Sequence, residues 1–117
     1  MAGSTTIVES NYVPVPRSTG SEPCRTNPDA FFPEDYNDTK ELRAAKQACG
    51  GCNLKEWCLL WGLANATGLA KNGVIGGTTP KERKAFDKRL HQRLSEEEIA
   101  RRFKRQYEAL TRKGLAQ

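Results

Sequence analysis

Residues 48–58 read Ala48-Cys49-Gly50-Gly51-Cys52-Asn53-Leu54-Lys55-Glu56-Trp57-Cys58, three cysteines around a glycine pair. In one uninterrupted α-helix, with 3.6 residues per turn, Cys49 and Cys58 would lie about half a turn apart and the three thiols could not converge. Gly50 and Gly51 remove that obstacle, because glycine weakens a helix interior and favours the left-handed backbone that ends helices. The stretch therefore predicts two helices meeting at a loop. Cys49 ends the first helix, Cys52 sits in the loop and Cys58 projects from the second. The fourth cysteine, Cys24, has to fold back from the N-terminal side, so that ligation would staple the loop-rich region 24–36 to the helical pair.

Outward from this stretch the helical signals continue. Upstream, Asp38 with Glu41 is a capping-box-like start, and Leu42, Ala45 and Ala48 follow at helical spacing, which predicts a helix from about Thr39 to Ala48. Downstream, Asn53 with Glu56 restarts the pattern, and Leu54, Trp57, Leu60, Trp61 and Ala64 form a broad apolar face on a helix from Leu54 to about Ala66. Trp57 and Trp61, four residues apart, read as core. The glycine-rich segment from Gly68 to Gly77 suits a tight turn. Thr79, Pro80 and Glu82 supply an N-cap, a first-turn proline and a capping-box acid for a helix to about Arg93. Ser95 with Glu98 opens another, carrying Ile99, Phe103, Tyr107 and Leu110 up to Gly114. Residues 1–23, with Pro14, Pro16, Pro23 and Gly20 and no apolar period, read as a disordered or loosely attached arm. The expected fold is all-α: about four helices around a four-cysteine site, in segments 1–23 (arm), 24–77 (core ending in the glycine-rich turn) and 78–117 (basic helical region).

The chain has 117 residues and a net charge of +5, with 37% hydrophobic residues; its mean hydropathy is −0.72. No stretch approaches the roughly 20 apolar residues of a membrane-spanning helix. Met1 to Pro23 contains no basic segment followed by an apolar block, so a secretory signal is not expected and the reducing cytosol is the expected compartment. There, four cysteines read as metal ligands or redox thiols rather than as two disulfides. The positive excess is local: residues 78–117 hold twelve basic and six acidic side chains, whereas residues 24–77 hold six of each. A basic nucleic-acid-binding arm on a neutral core has this distribution, and so does a solvated helix rich in Lys and Arg.

Four thiolates bind zinc tetrahedrally or hold an iron–sulfur cluster. Structural zinc sites usually pair two short knuckles, whereas this chain has one Cys-x-x-Cys and two scattered cysteines. That leans toward a cluster and leaves a zinc-stabilised DNA-binding module as the alternative. An enzyme is not expected, nor a small-molecule substrate: there is no phosphate-binding glycine loop ending in Lys-Ser or Lys-Thr, and no nucleophile with a histidine partner. A thiol oxidoreductase using Cys49 and Cys52 would lack its βαβ context. The lone histidine, His91, is given no catalytic role.

Several short motifs, in order, resemble the WhiB-like regulators of actinobacteria and their phages. They are Cys24 followed by Pro28-Asp29-Ala30-Phe31-Phe32-Pro33, then Ala48-Cys49-Gly50-Gly51-Cys52, Cys58-Leu59, Gly73-Val74-Ile75-Gly76-Gly77 and Glu82-Arg83-Lys84, over approximately residues 24–86. The resemblance implies that Cys24, Cys49, Cys52 and Cys58 hold a [4Fe-4S] cluster. It implies docking on the C-terminal domain of the primary sigma factor, here through Phe31, Phe32, Val74, Ile75, Gly76 and Gly77. It further implies contact of the basic C-terminal part with promoter DNA, here through Lys81, Arg83, Lys84, Lys88, Arg89 and Arg93. Two departures stand out: Ile75 occupies the position where the family typically carries a tryptophan, and Asn53-Leu54 stands where its members often have Pro-Val.

Overall fold

The computed structural model describes residues 13–37 and 39–116. Within them the chain is helical: α1 (Pro23–Thr26), a 3-10 turn (Pro28–Phe31), α2 (Lys40–Gly50), α3 (Lys55–Ala64), α4 (Pro80–Arg93) and α5 (Glu96–Arg112). Among the described residues there is no strand, only an isolated antiparallel bridge between Ile75 and Thr78. The expected all-α architecture is the one observed.

Local chemistry explains most helix boundaries. Asp38, one candidate cap for α2, lies outside the described residues; Thr39 caps that helix, its hydroxyl accepting from the Leu42 N–H. Thr79 and Glu82 form the complete reciprocal capping box at the start of α4, with Pro80 in the first turn. Ser95 caps α5 by accepting from Glu98, and Gly114, at φ 79°, supplies the left-handed residue after its last turn. α3 departs from expectation. Asn53 does not cap it; the cap position is Leu54, without a side-chain hydrogen bond, and the Leu54 N–H donates instead to Cys52 Sγ at 3.4 Å.

Two apolar clusters divide the molecule. The larger joins Val13, Trp57, Leu60, Ile99, Phe103 and Ala116, with Phe86, Leu90 and Leu94 packed on it, and so binds α3, α4 and α5 together. Trp57 is almost fully buried and its ring lies 6.1 Å from that of Tyr107, tilted. Truncation of such a side chain typically costs about 3–5 kcal/mol. The smaller cluster joins Phe31, Leu42, Ala45 and Val74, with Cys49 at its margin. Residues 1–12 of the N-terminal arm lie outside the described residues. Its remainder is anchored: Val13 is buried and the Pro14 carbonyl accepts from the Trp57 indole at 2.9 Å. An interior position for a valine and a shared hydrogen bond hold residues 13–14 against the core, where the proline-rich composition predicts loose attachment.

Candidate metal centre and its surroundings

The helical pair brings the cysteines to one place. Cys24 on α1, Cys49 near the end of α2, Cys52 in the following loop and Cys58 on α3 all line one cavity of about 520 Å³. All four are free thiols. Leu54 and Trp61, at the edge of the larger apolar cluster, wall one side, and Phe31, Val74 and Cys49, from the smaller one, wall another. Burial pushes the Cys58 thiol up to about 12, with the Cys52, Cys24 and Cys49 thiols adding to the effect. Burial also raises Cys24, as does neighbouring Cys52. Cys49 is raised by burial too, against backbone N–H groups of Gly77 and Gly76 that donate to its sulfur and favour the thiolate. Apolar burial thus favours the protonated thiols, and because a metal ligand must be deprotonated, any metal binding here would release their protons.

Those Gly76 and Gly77 donors depend on a tight turn. Ile75 and Thr78 exchange both backbone hydrogen bonds, at 3.0 and 2.9 Å, and Gly76 and Gly77 between them have φ of 57° and 80°. Positive φ at both central positions is the type I′ pattern, which glycine adopts without strain. At Gly76 a side chain would also collide with α3, because a Cβ there would lie 2.5 Å from the Cα and N of Leu59. The turn is thereby pressed onto the residue after Cys58. Ile75 closes against the same helix, its Cγ2 lying 3.1 Å from where a Cβ on Gly62 would be.

A buried cation fastens this turn. Arg83 is 0% exposed. Its Nε donates to the Ala70 carbonyl at 3.0 Å, Nη1 to the Thr78 carbonyl and hydroxyl, and Nη2 to the carbonyls of Asn72 at 3.0 Å and Gly73 at 2.7 Å. All five guanidinium N–H groups are thus occupied by the segment they organise. The family resemblance places Arg83 on the DNA face; its burial and these bonds remove it from that face and make it the clamp of the glycine-rich segment. The signal is present in the sequence, since Arg83, Phe86 and Leu90 are spaced three and four apart on one helical stripe, and Phe86 and Leu90 pack into the core. Lys81, Lys84, Lys88, Arg89 and Arg93 are exposed, and the first three share the opposite face of α4.

The expected partner surface is also redistributed. Phe31 and Val74 are buried in the smaller cluster, joined by a hydrogen bond from the Val74 N–H to the Phe31 carbonyl at 2.7 Å, so they support a surface rather than form one. Gly76 is likewise buried, while Ile75 and Gly77 are half-buried. Phe32 is 60% exposed, and with it stand Leu69 at 70% and Val15 at 59%. All three line the same cavity as the cysteines. An exposed apolar rim therefore surrounds its mouth, and composition and periodicity give no signal for Leu69 or Val15. Phe32 is held in place by Gly73, where a Cβ would approach its ring to 2.9 Å. One polar atom stands out: the indole Nε1 of Trp61 is buried without a hydrogen-bond partner among the described residues, a situation that ordinarily costs about 1–3 kcal/mol.

Comparison with known proteins agrees with this site. The model of the family described as "Transcription factor WhiB" matches residues 19–86, a span that includes all four cysteines and the glycine-rich turn. The chain is 36% identical over 67 residues to the transcriptional regulator WhiB2 of Bifidobacterium longum, covering 57% of this chain and 61% of that protein. It is 38% identical over 60 residues to WhiB2 of Mycobacterium tuberculosis, covering 51% and 61%, and 36% identical over 64 residues to the transcriptional regulator WhiB of Streptomyces coelicolor, covering 55% and 67%. The match thus spans about three fifths of the length of the first two relatives. No solved structure matches the chain, and no helix among the described residues is long and apolar enough to cross a membrane. With the family model matched over more than half of its residues, the chain belongs to the WhiB family of transcription factors.

Proposed function

We propose that the protein regulates transcription by holding a [4Fe-4S] cluster on Cys24, Cys49, Cys52 and Cys58, docking on the C-terminal domain of the primary sigma factor, and contacting promoter DNA through α4. The observation that carries this reading is the meeting of four thiols on one cavity whose mouth is rimmed by exposed apolar side chains. The donor set fits the group. Four thiolates are the usual ligands of such a cluster, and Leu54, Gly76 and Gly77 provide backbone N–H donors to the ligating sulfurs. Structural zinc sites usually pair two short knuckles, whereas this chain has one Cys-x-x-Cys and two scattered cysteines. When bound, the cluster supplies a redox-active crosslink between α1, α2 and α3.

The chain's own residues do the rest. The thiolates tie the N-terminal segment to the helical pair, Arg83 and the Gly76–Gly77 turn fix the wall behind Cys49, and Phe32, Leu69 and Val15 offer the sigma domain an apolar surface with Ile75 beside it. Lys81, Lys84 and Lys88 on the outer face of α4, with Arg89 and Arg93, approach phosphates, which supplies affinity without reading sequence. The test is calorimetric titration of the anaerobically purified protein with an isolated sigma C-terminal domain. Wild type binds and Phe32→Ala weakens binding by about 2 kcal/mol. Absence of binding by wild type, with its cluster intact, would remove the sigma factor from this account.

A further inference from the structure

Trp61 follows Cys58 by three residues on α3, so the two share a face. Helical side chains lean toward the N-terminus, which lays the indole over the turn carrying Cys58. Trp61 lines the same cavity as the four thiols. An indole can only donate, yet Trp61 Nε1 is the one buried side-chain nitrogen or oxygen among the described residues without a partner. The other tryptophan, Trp57, has the Pro14 carbonyl. Two polar groups in the cavity wall are already engaged: the Glu22 carboxylate by Ser18 and Thr19, and the Asn72 carbonyl by Arg83. The four cysteine sulfurs line this same cavity and can accept a hydrogen bond, all the more as thiolates.

We infer that the Trp61 indole N–H is a hydrogen-bond donor to the sulfur of the bound cluster, either the Cys58 thiolate or an adjacent inorganic sulfide, and so a positioning residue that tunes it. The inference rests on the cluster reading above. Hydrogen bonds to sulfur stabilise added negative charge and raise the reduction potential. Trp61→Phe keeps an aromatic ring in the wall and removes the donor. Replacement of Trp61 by benzothienylalanine, in which sulfur takes the place of the N–H, keeps the bicyclic shape as well.

The experiment uses full-length protein purified anaerobically with 15N-labelled tryptophan, with iron and sulfide measured first. Redox titration should give a more negative midpoint potential for both variants than for wild type. Pulsed electron paramagnetic resonance of the reduced protein should detect an indole 15N coupling in wild type that is missing from Trp61→Phe. Equal potentials in loaded proteins, without an indole coupling in wild type, overturn the inference and leave the cluster standing. Should neither variant load, the wild-type coupling decides alone, its presence supporting the donor and its absence refuting it. A wild type without iron and sulfide overturns the cluster reading, and the inference with it.

Discussion

Arg83 is the residue whose removal tests most of the architecture at once. Its five N–H groups hold the carbonyls of Ala70, Asn72, Gly73 and Thr78 and the Thr78 hydroxyl, from a fully buried position. The Thr78 carbonyl keeps the Ile75 N–H as a second donor, so Arg83→Ala deprives the Ala70, Asn72 and Gly73 carbonyls of this donor. At the low end of about 1 kcal/mol for each unsatisfied group, the loss is about 3 kcal/mol. A melting temperature lower by roughly 10 °C or more follows for a domain of this size. Arg83→Lys retains the charge but not the planar fork, and three donors cannot replace five, so it should fall between wild type and Arg83→Ala. The assay is anaerobic thermal unfolding followed by far-ultraviolet circular dichroism, with Lys84→Ala as a surface control expected to stay within about 0.5 kcal/mol of wild type. An Arg83→Ala protein as stable as this control would refute the clamp and return Arg83 to the surface cations of α4.

Gly76→Ala places a Cβ at 2.5 Å from the Leu59 backbone at φ 57°; it should lower stability by about 2 kcal/mol or more, read in the same unfolding assay. Phe31→Ala and Phe32→Ala should separate: the buried ring costs about 3–5 kcal/mol of stability, whereas the exposed one leaves unfolding almost unchanged and appears in sigma-domain calorimetry. For DNA, neutralising Lys84 and Lys88 together should weaken binding on every sequence and reduce the slope of log affinity against log salt by about 0.9 for each phosphate no longer neutralised; an unchanged slope would make α4 an ordinary solvated helix. His91 hydrogen-bonds the Asp87 carbonyl and pairs with Asp87 and Glu96, which raises its pKa. Its contribution to joining α4 and α5 is therefore full below about 6.5, the unfolded value, and is lost as pH rises through the higher folded value. His91→Gln should flatten that part of the melting-temperature profile between mildly acidic and mildly alkaline pH, and a profile unaltered by the substitution would remove the linkage.

Local rules predict the helices because local chemistry decides them: the Thr79–Glu82 box and the Ser95 cap act within a few residues, and α2 ends at Gly50 as the glycine pair predicts, although Gly51, at φ −95°, does not take the left-handed conformation expected there. The convergence of the thiols follows from the same break. What the sequence hides is three-dimensional. Charge tallies group Arg83 with its basic neighbours because they do not register which stripe of a helix faces inward, although its spacing from Phe86 and Leu90 holds that information. Phe31 and Phe32 are adjacent and chemically identical, so only tertiary packing distinguishes the buried ring from the exposed one. The apolar rim of Val15 and Leu69 comes from distant segments brought together by the fold, and the unpaired Trp61 nitrogen becomes visible only once the other buried side-chain nitrogens and oxygens of the described residues have their partners.

The central claim, that four thiols on one cavity hold an iron–sulfur cluster, is tested most directly by metal and sulfide analysis with Mössbauer spectroscopy on anaerobically purified protein. The account predicts about four iron and four sulfide per chain, with visible charge-transfer absorption that disappears when Cys49 or Cys58 is replaced by Ala. Stoichiometric zinc without sulfide or charge-transfer absorption would contradict it.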